Sequence, residues 1–188
     1  MNRKKHASIL RSTRKIHRVM GATLCLLFLI ISVSGLLLGW KKNSNGLILP
    51  KSYYGSSTEF KDWLPLGTLQ HIACTTLHDS IDANLSLELS RIDVRSQNGM
   101  VKFVFKEQFW EVQIDGATGK VLHVDQRFSD LIENIHDGSV LDHYFHTKGV
   151  LKLAYTSIMG ASLLIFTVTG FWLWYGPKVM RRSYKGHL

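Results

Sequence analysis

"VLKLAYTSIMGASLLIFTVTGFWLWYG", Val150 to Gly176, is the stretch that decides the fold. It is almost wholly apolar, and its single charge, Lys152, sits near the start. About 20 such residues in a helix cross the hydrocarbon core of a bilayer. A lysine near the end of such a helix keeps its ammonium at the interface by reaching along its own stem. A membrane span is therefore expected over residues 149–175.

A second apolar run, Val19 to Trp40, lies toward the N-terminus behind a basic arm. Secretory signal peptides share that order. This run is longer than their apolar region, and the residues that follow, "WKKNSNG", offer no A-x-A-like cleavage site. A retained helix over residues 16–40 is expected, after a basic arm at 1–15 that is partly helical at "RSTRKIHRV". Ser32, Gly35 and Gly39 follow small-xxx-small spacing, which lets another helix approach closely, either the second span or a second copy.

Charge fixes the expected orientation. All 14 acidic residues lie between Lys41 and Lys152, alongside 12 Lys and Arg, so that span nets −2. The N-terminal arm carries seven Lys and Arg and the C-terminal tail four, with no acid in either. The overall +9 therefore resides in the tails. Basic flanks mark the cytoplasmic side. The expected topology has both termini, including a tail at 176–188, in the cytoplasm of a bacterial inner membrane, and residues 41–130 in the periplasm. Basic tails beside spans touch anionic lipid, so the charge does not argue for nucleic acid. Of the two cysteines, Cys25 lies in a span and Cys74 outside it. They form no disulfide framework, and with no C-x-x-C-H motif there is no c-type haem attachment.

The middle segment opens with a turn-rich linker. "LPLGTLQHIACTTLHDSID" then reads as an amphipathic helix, with Leu66, Leu69, Ile72, Ala73, Leu77 and Ile81 near one face. His71 and His78 fall on another side, two turns apart, which is too far to share one metal ion without other ligands. Four alternating runs follow: "LELSRIDV", "MVKFVFK", "FWEVQIDG" and "KVLHVDQ". They read as an antiparallel meander. "DGATGK" is a hairpin turn with two glycines available for positive φ. The fold class expected is membrane α+β: two transmembrane helices flanking a domain made of a helix and a β-meander.

A helix followed by a meander ending in "WEVQIDGATGKVL" resembles the PepSY domain. "RKIHRVMGATLCLLFLIISVSGLLLGW", with a His17–Arg18 pair ahead of the span, resembles the first helix of PepSY-associated membrane proteins. "IHDG" at residues 135–138 and the exit "TGFWLWYG" complete the pattern. The resemblance covers about Arg14 to Pro177, and the order of the short motifs makes it specific. It implies the single-unit form, similar to VciB-type inner-membrane ferric reductases, which bind b-type haem through histidines. Larger members contain the unit twice, so a homodimer would restore the double arrangement, with one or two haems per dimer. The implied activity is reduction of periplasmic ferric iron or a ferric chelate in support of ferrous uptake, fed by a cytoplasmic or quinol donor. Neither a protein nucleophile nor a general base is needed. The alternative is a non-enzymatic PepSY membrane module: an inhibitor, sensor or transporter accessory subunit.

Four histidines are candidate haem ligands: His17, His136, His143 and His146. Axial imidazoles come from helices that face each other, and burial and hydrogen bonds to the ligands tune the iron. His17 lies at the cytoplasmic end of the first helix. The other three occupy a rim segment, 131–148, at the outer end of the second. The two groups therefore do not share one iron within a subunit. Each haem needs both ligands from one cluster, or one from each of two subunits related by a two-fold axis. His143 and His146, three apart, share a helical face if helical structure begins at about Leu141. Gly138 can end a turn and let His136 fold back over the rim, with Asp137 and Asp142 as acceptors that orient the imidazoles. His136, in the family motif, ranks with His146 and above His143. Phe171, Trp172, Trp174 and Tyr175 read as an interfacial aromatic belt, or else as walls of an inner pocket. A closed structural zinc site is a poorer account of three histidines without cysteine.

Overall fold

Helix α1 (Arg3–Trp40) takes the basic arm and the first apolar run into one rod. The computed structural model describes residues 3–185. The helix begins well before Ile16 because the arm is rich in lysine and arginine, good helix formers, and contains no proline. Helix α5 (Val150–Lys185) carries the second run and continues through Pro177. At 1.5 Å per residue, the two helices are about 57 and 54 Å long, well beyond a ~30 Å hydrocarbon core. Both are long and apolar enough to cross a membrane. Leu26, Leu36, Leu153 and Leu164 are each more than half exposed, as lipid-facing side chains are.

The chain divides into two units. One holds residues up to Gly35 and from Asn134 onward; the other is Leu36–Glu133. In the first, the helices run antiparallel. Leu10 adjoins Gly176, His17 adjoins Thr169 and Gly170, and Gly21 adjoins Phe166. The close approaches occur at Gly21, Gly170 and Gly176. Gly35, from the Ser32–Gly35–Gly39 stripe, is not among these approaches: a Cβ there would meet the His136 imidazole.

The second unit is a helix on a sheet. Helix α2 (Leu66–Ser80) buries Leu69, Ala73 and Leu77, a row at i, i+4 and i+8 that lies on one face at 3.6 residues per turn. Strands β1 (Leu89–Arg95), β2 (Met100–Phe105), β3 (Trp110–Asp115) and β4 (Val121–Gln126) form an antiparallel sheet in the order 1-2-3-4, as expected. Val101, Phe103 and Phe105 alternate with Lys102 and Val104, and Val112 and Ile114 with Glu111 and Gln113, in accordance with the two-residue strand period. The apolar set packs under α2. Of the two turn glycines, only Gly119 has positive φ, at 72°. Gly116 serves space instead: a Cβ there would come within 2.4 Å of the Trp63 ring.

The opposite sheet face is polar and also buried. Glu111, 1 % exposed, receives the Lys102 ammonium at 3.0 Å, Gln113 Nε2 at 2.7 Å and the Arg127 guanidinium. Burial alone would lower Arg127, but hydrogen bonds and charge from Glu111 and Asp130 outweigh it, and its pKa is raised. The segment expected to be a linker lies across this face as a strap. Gln113 bonds both Lys51 O and Tyr53 N, Asp115 accepts Ser56 N, and Gly55 N donates to Asn98 O.

Helices α3 (Phe128–His136) and α4 (Ser139–Phe145) precede α5. Between α3 and α4, Gly138 adopts φ 79° and stops the first helix, as its place in the sequence suggests. Helical structure does not run unbroken from Leu141 into the span. His146 takes a left-handed φ of 53° and ends α4.

Candidate functional site

Two histidines are gripped in the same way at two places on the membrane unit. His17, on α1, has Nδ1 2.9 Å from Thr169 Oγ1 of α5. Its ring stacks on Phe166, with centroids 3.9 Å apart. His136, the last residue of α3, has Nδ1 2.9 Å from Ser34 Oγ of α1. Both hydroxyls also bond their own helix. Ser34 Oγ reaches Ile30 O at 2.6 Å, and Thr169 Oγ1 reaches Ile165 O at 2.7 Å. Each hydroxyl residue is followed by a glycine that leaves room for the ring. A Cβ on Gly35 would sit 3.3 Å from His136 Cε1, and one on Gly170 would sit 3.3 Å from His17 Cε1.

The two grips are far apart. His17 and Ser34 lie on one continuous helix, and the step of 17 residues from one to the other amounts to about 26 Å. One subunit therefore presents two separate imidazoles, one beside the start of the first apolar run and one toward its end, as their places in the sequence imply. Both rings are partly buried.

His143 and His146 are exposed. Because His146 ends α4 in a left-handed conformation, their three-residue spacing does not put them on one helical face. Among the described residues, no three His, Cys, Asp or Glu side chains converge as a metal ion's ligands.

The two rim aspartates hold backbone and ions rather than imidazoles. Asp142 accepts Leu151 N at 3.1 Å, Lys152 N at 2.8 Å and Thr147 Oγ1 at 2.5 Å. It caps α5, whose first N–H groups lack partners within the helix. Those bonds, led by Thr147, lower its pKa. Asp137 pairs with Lys152 and with the Ser139 hydroxyl and backbone. Burial pushes Asp137 up, but these partners outweigh it and the net shift is down.

The aromatic end of α5 divides. Phe171 and Trp174 are 59 % and 61 % exposed, and Lys178 Nζ sits 3.5 Å over the Trp174 ring. That is the arrangement of an interfacial belt. Trp172 differs: its Nε1 is buried and has no hydrogen-bond partner among the described residues, one turn beyond Thr169. His71 and His78 are both exposed on α2.

Sequence pattern alone does not single out Ser34, Thr169 and Gly170, and it suggests a different role for Gly35. The signal that could find them is a short repeat, Ser32-Val33-Ser34-Gly35 against Thr167-Val168-Thr169-Gly170. In an isolated span, a hydroxyl residue that bonds the carbonyl four residues back is unremarkable.

A family model described as PepSY-associated TM region matches residues 14–186. No curated protein and no solved structure matches the chain.

Proposed function

The chain belongs to the PepSY-associated transmembrane family, and from that footing we propose that it is a haem-b ferric reductase of the bacterial inner membrane. Both termini are cytoplasmic and the α2–sheet unit is periplasmic. The observation that carries this reading is the pair of restrained imidazoles, His17 and His136, about 26 Å apart along one membrane helix.

The residues fit the group. Each imidazole is engaged through Nδ1, which leaves Nε2 for iron. Phe166 stacks on the His17 ring, and near Thr169 the buried Trp172 Nε1 offers a donor with no partner among the described residues. Haem b, when bound, supplies reversible one-electron storage whose potential the imidazole and its hydrogen bonds set. His17 holds the cytoplasmic position and His136 the periplasmic one. A second copy of the chain would supply a second imidazole for each group, because a two-fold interface presents the same residue twice. His143 and His146 are further candidates at the periplasmic position. The substrate is ferric iron or a ferric chelate, which takes one electron and becomes ferrous. The electron comes from a cytoplasmic or quinol donor.

The deciding experiment is a visible spectrum of the full-length protein in detergent, oxidised and then dithionite-reduced, after expression with ample haem. A Soret band that shifts on reduction, with reoxidation by ferric chelate, is expected. Colourless protein would sink this function in favour of a non-enzymatic membrane module.

A further inference from the structure

We infer that Ser34 and Thr169 are positioning residues that fix one imidazole tautomer at both grips, so that His136 and His17 each carry the ring proton on Nδ1 and present a bare Nε2. A hydroxyl has one proton. At Ser34 the contact to Ile30 O is 2.6 Å, shorter than the 2.9 Å contact to His136. At Thr169 the contact to Ile165 O is 2.7 Å, again shorter than the 2.9 Å contact to His17. With its proton on the helix carbonyl, each oxygen turns a lone pair to the ring, and the ring donates Nδ1–H. That arrangement makes two hydrogen bonds per site. The reverse, with the hydroxyl donating to Nδ1, makes only one and moves the ring proton to Nε2.

The device occurs twice, on different helices, in the same four-residue form. Successive residues on a helix point about 100° apart. The hydroxyl therefore holds the Nδ1 edge of the ring while the following glycine leaves the space beside Cε1 empty. The 3.3 Å approach that an added Cβ would make to Cε1, at both Gly35 and Gly170, gives that spacing its purpose. A ring donating Nδ1–H to a fixed acceptor is held in one orientation. The consequence for iron rests on the haem function proposed above; the tautomer itself belongs to the haem-free chain.

The test is imidazole nitrogen NMR on full-length, 15N-histidine-labelled protein in detergent, using the haem-free fraction at about pH 8, where an ordinary imidazole is neutral. Signals are assigned by their loss in H17Q and H136Q. A protonated Nδ1 and a bare Nε2 are expected at both residues. Ser34→Ala should release His136 into a tautomer mixture and leave His17 unchanged. Thr169→Val should do the converse, and Ser34→Thr should restore the parent pattern. If haem is bound, Ser34→Ala raises the midpoint potential of one redox step. An Nε2–H signal at either histidine in the unmodified protein overturns the inference, whatever the variants do. Tautomers that survive both hydroxyl deletions also overturn it. Colourless protein with the Nδ1–H pattern upholds the inference and removes only the haem function.

Discussion

His136 Nδ1 lies 2.9 Å from Ser34 Oγ, although 102 residues of chain separate them. The contact joins the end of a short helix to the C-terminal part of a long one. It depends on two glycines: Gly35, which makes room for the ring, and Gly138, which ends α3 one residue after Asp137. Gly35→Val should expel the ring from its place, because the added carbons extend beyond a Cβ that is already at 3.3 Å. Under the haem function proposed above, the expected result is loss of one redox step with another intact, read by potentiometric titration of the haem-loaded protein.

Gly138→Ala should destabilise the rim. Its φ of 79° costs an L-residue about 1–2 kcal/mol, and the new Cβ would lie 2.7 Å from the Tyr155 ring. Faster proteolytic cleavage between α3 and α4 is expected. A variant cleaved at the parent rate would show that this turn does not hold the rim.

Under the same haem function, His17→Ala and His136→Ala should each remove a different redox step, since about 26 Å of helix separates the two grips. His143→Ala and His146→Ala address exposed rings. They should perturb only the step linked to His136, and less than His136→Ala does. Identical titrations for H17A and H136A would mean that the two histidines serve one site.

Glu111→Ala should be among the most damaging changes in the sheet unit. It leaves Lys102 and Arg127 without the buried carboxylate they share. Breaking such a buried group by removing one partner costs about 3–5 kcal/mol. Denaturant unfolding followed by tryptophan fluorescence should move well below the parent midpoint. A shift no larger than that of an exposed change such as Glu88→Ala would contradict the buried network.

Acid should loosen the α4–α5 corner. Asp137 and Asp142 both have lowered pKa values in the folded chain. A lowered value means that the unfolded state binds the proton more readily, so the stabilisation is complete above the unfolded value of about 3.9 and fades as pH falls through the folded values. Hydrogen-exchange protection at Leu151 and Lys152, relative to the intrinsic rate at each pH, should be high at neutral pH and fall below about pH 4. Asp142→Asn should weaken the cap at neutral pH and flatten that dependence.

The sequence by itself determined the two membrane helices, the meander and the order of its strands, because these follow from local periodicity and from the length needed to cross a bilayer. It also separated His17 from the rim histidines, since position along the chain sets depth along a helix. Partners across the chain were decided only in three dimensions. The Ser32–Gly35–Gly39 spacing suited a helix seam, but Gly35 faces an imidazole. Asp142 stood beside histidines in sequence, but the left-handed His146 turns the chain so that it caps α5. The linker became a strap because the second sheet face carries Glu111 and Gln113, whose hydrogen-bonding groups must be satisfied once buried. Ser34 and Thr169 found their histidines only when helices distant in sequence came side by side, and periodicity within one segment holds no record of what the neighbouring segment presents.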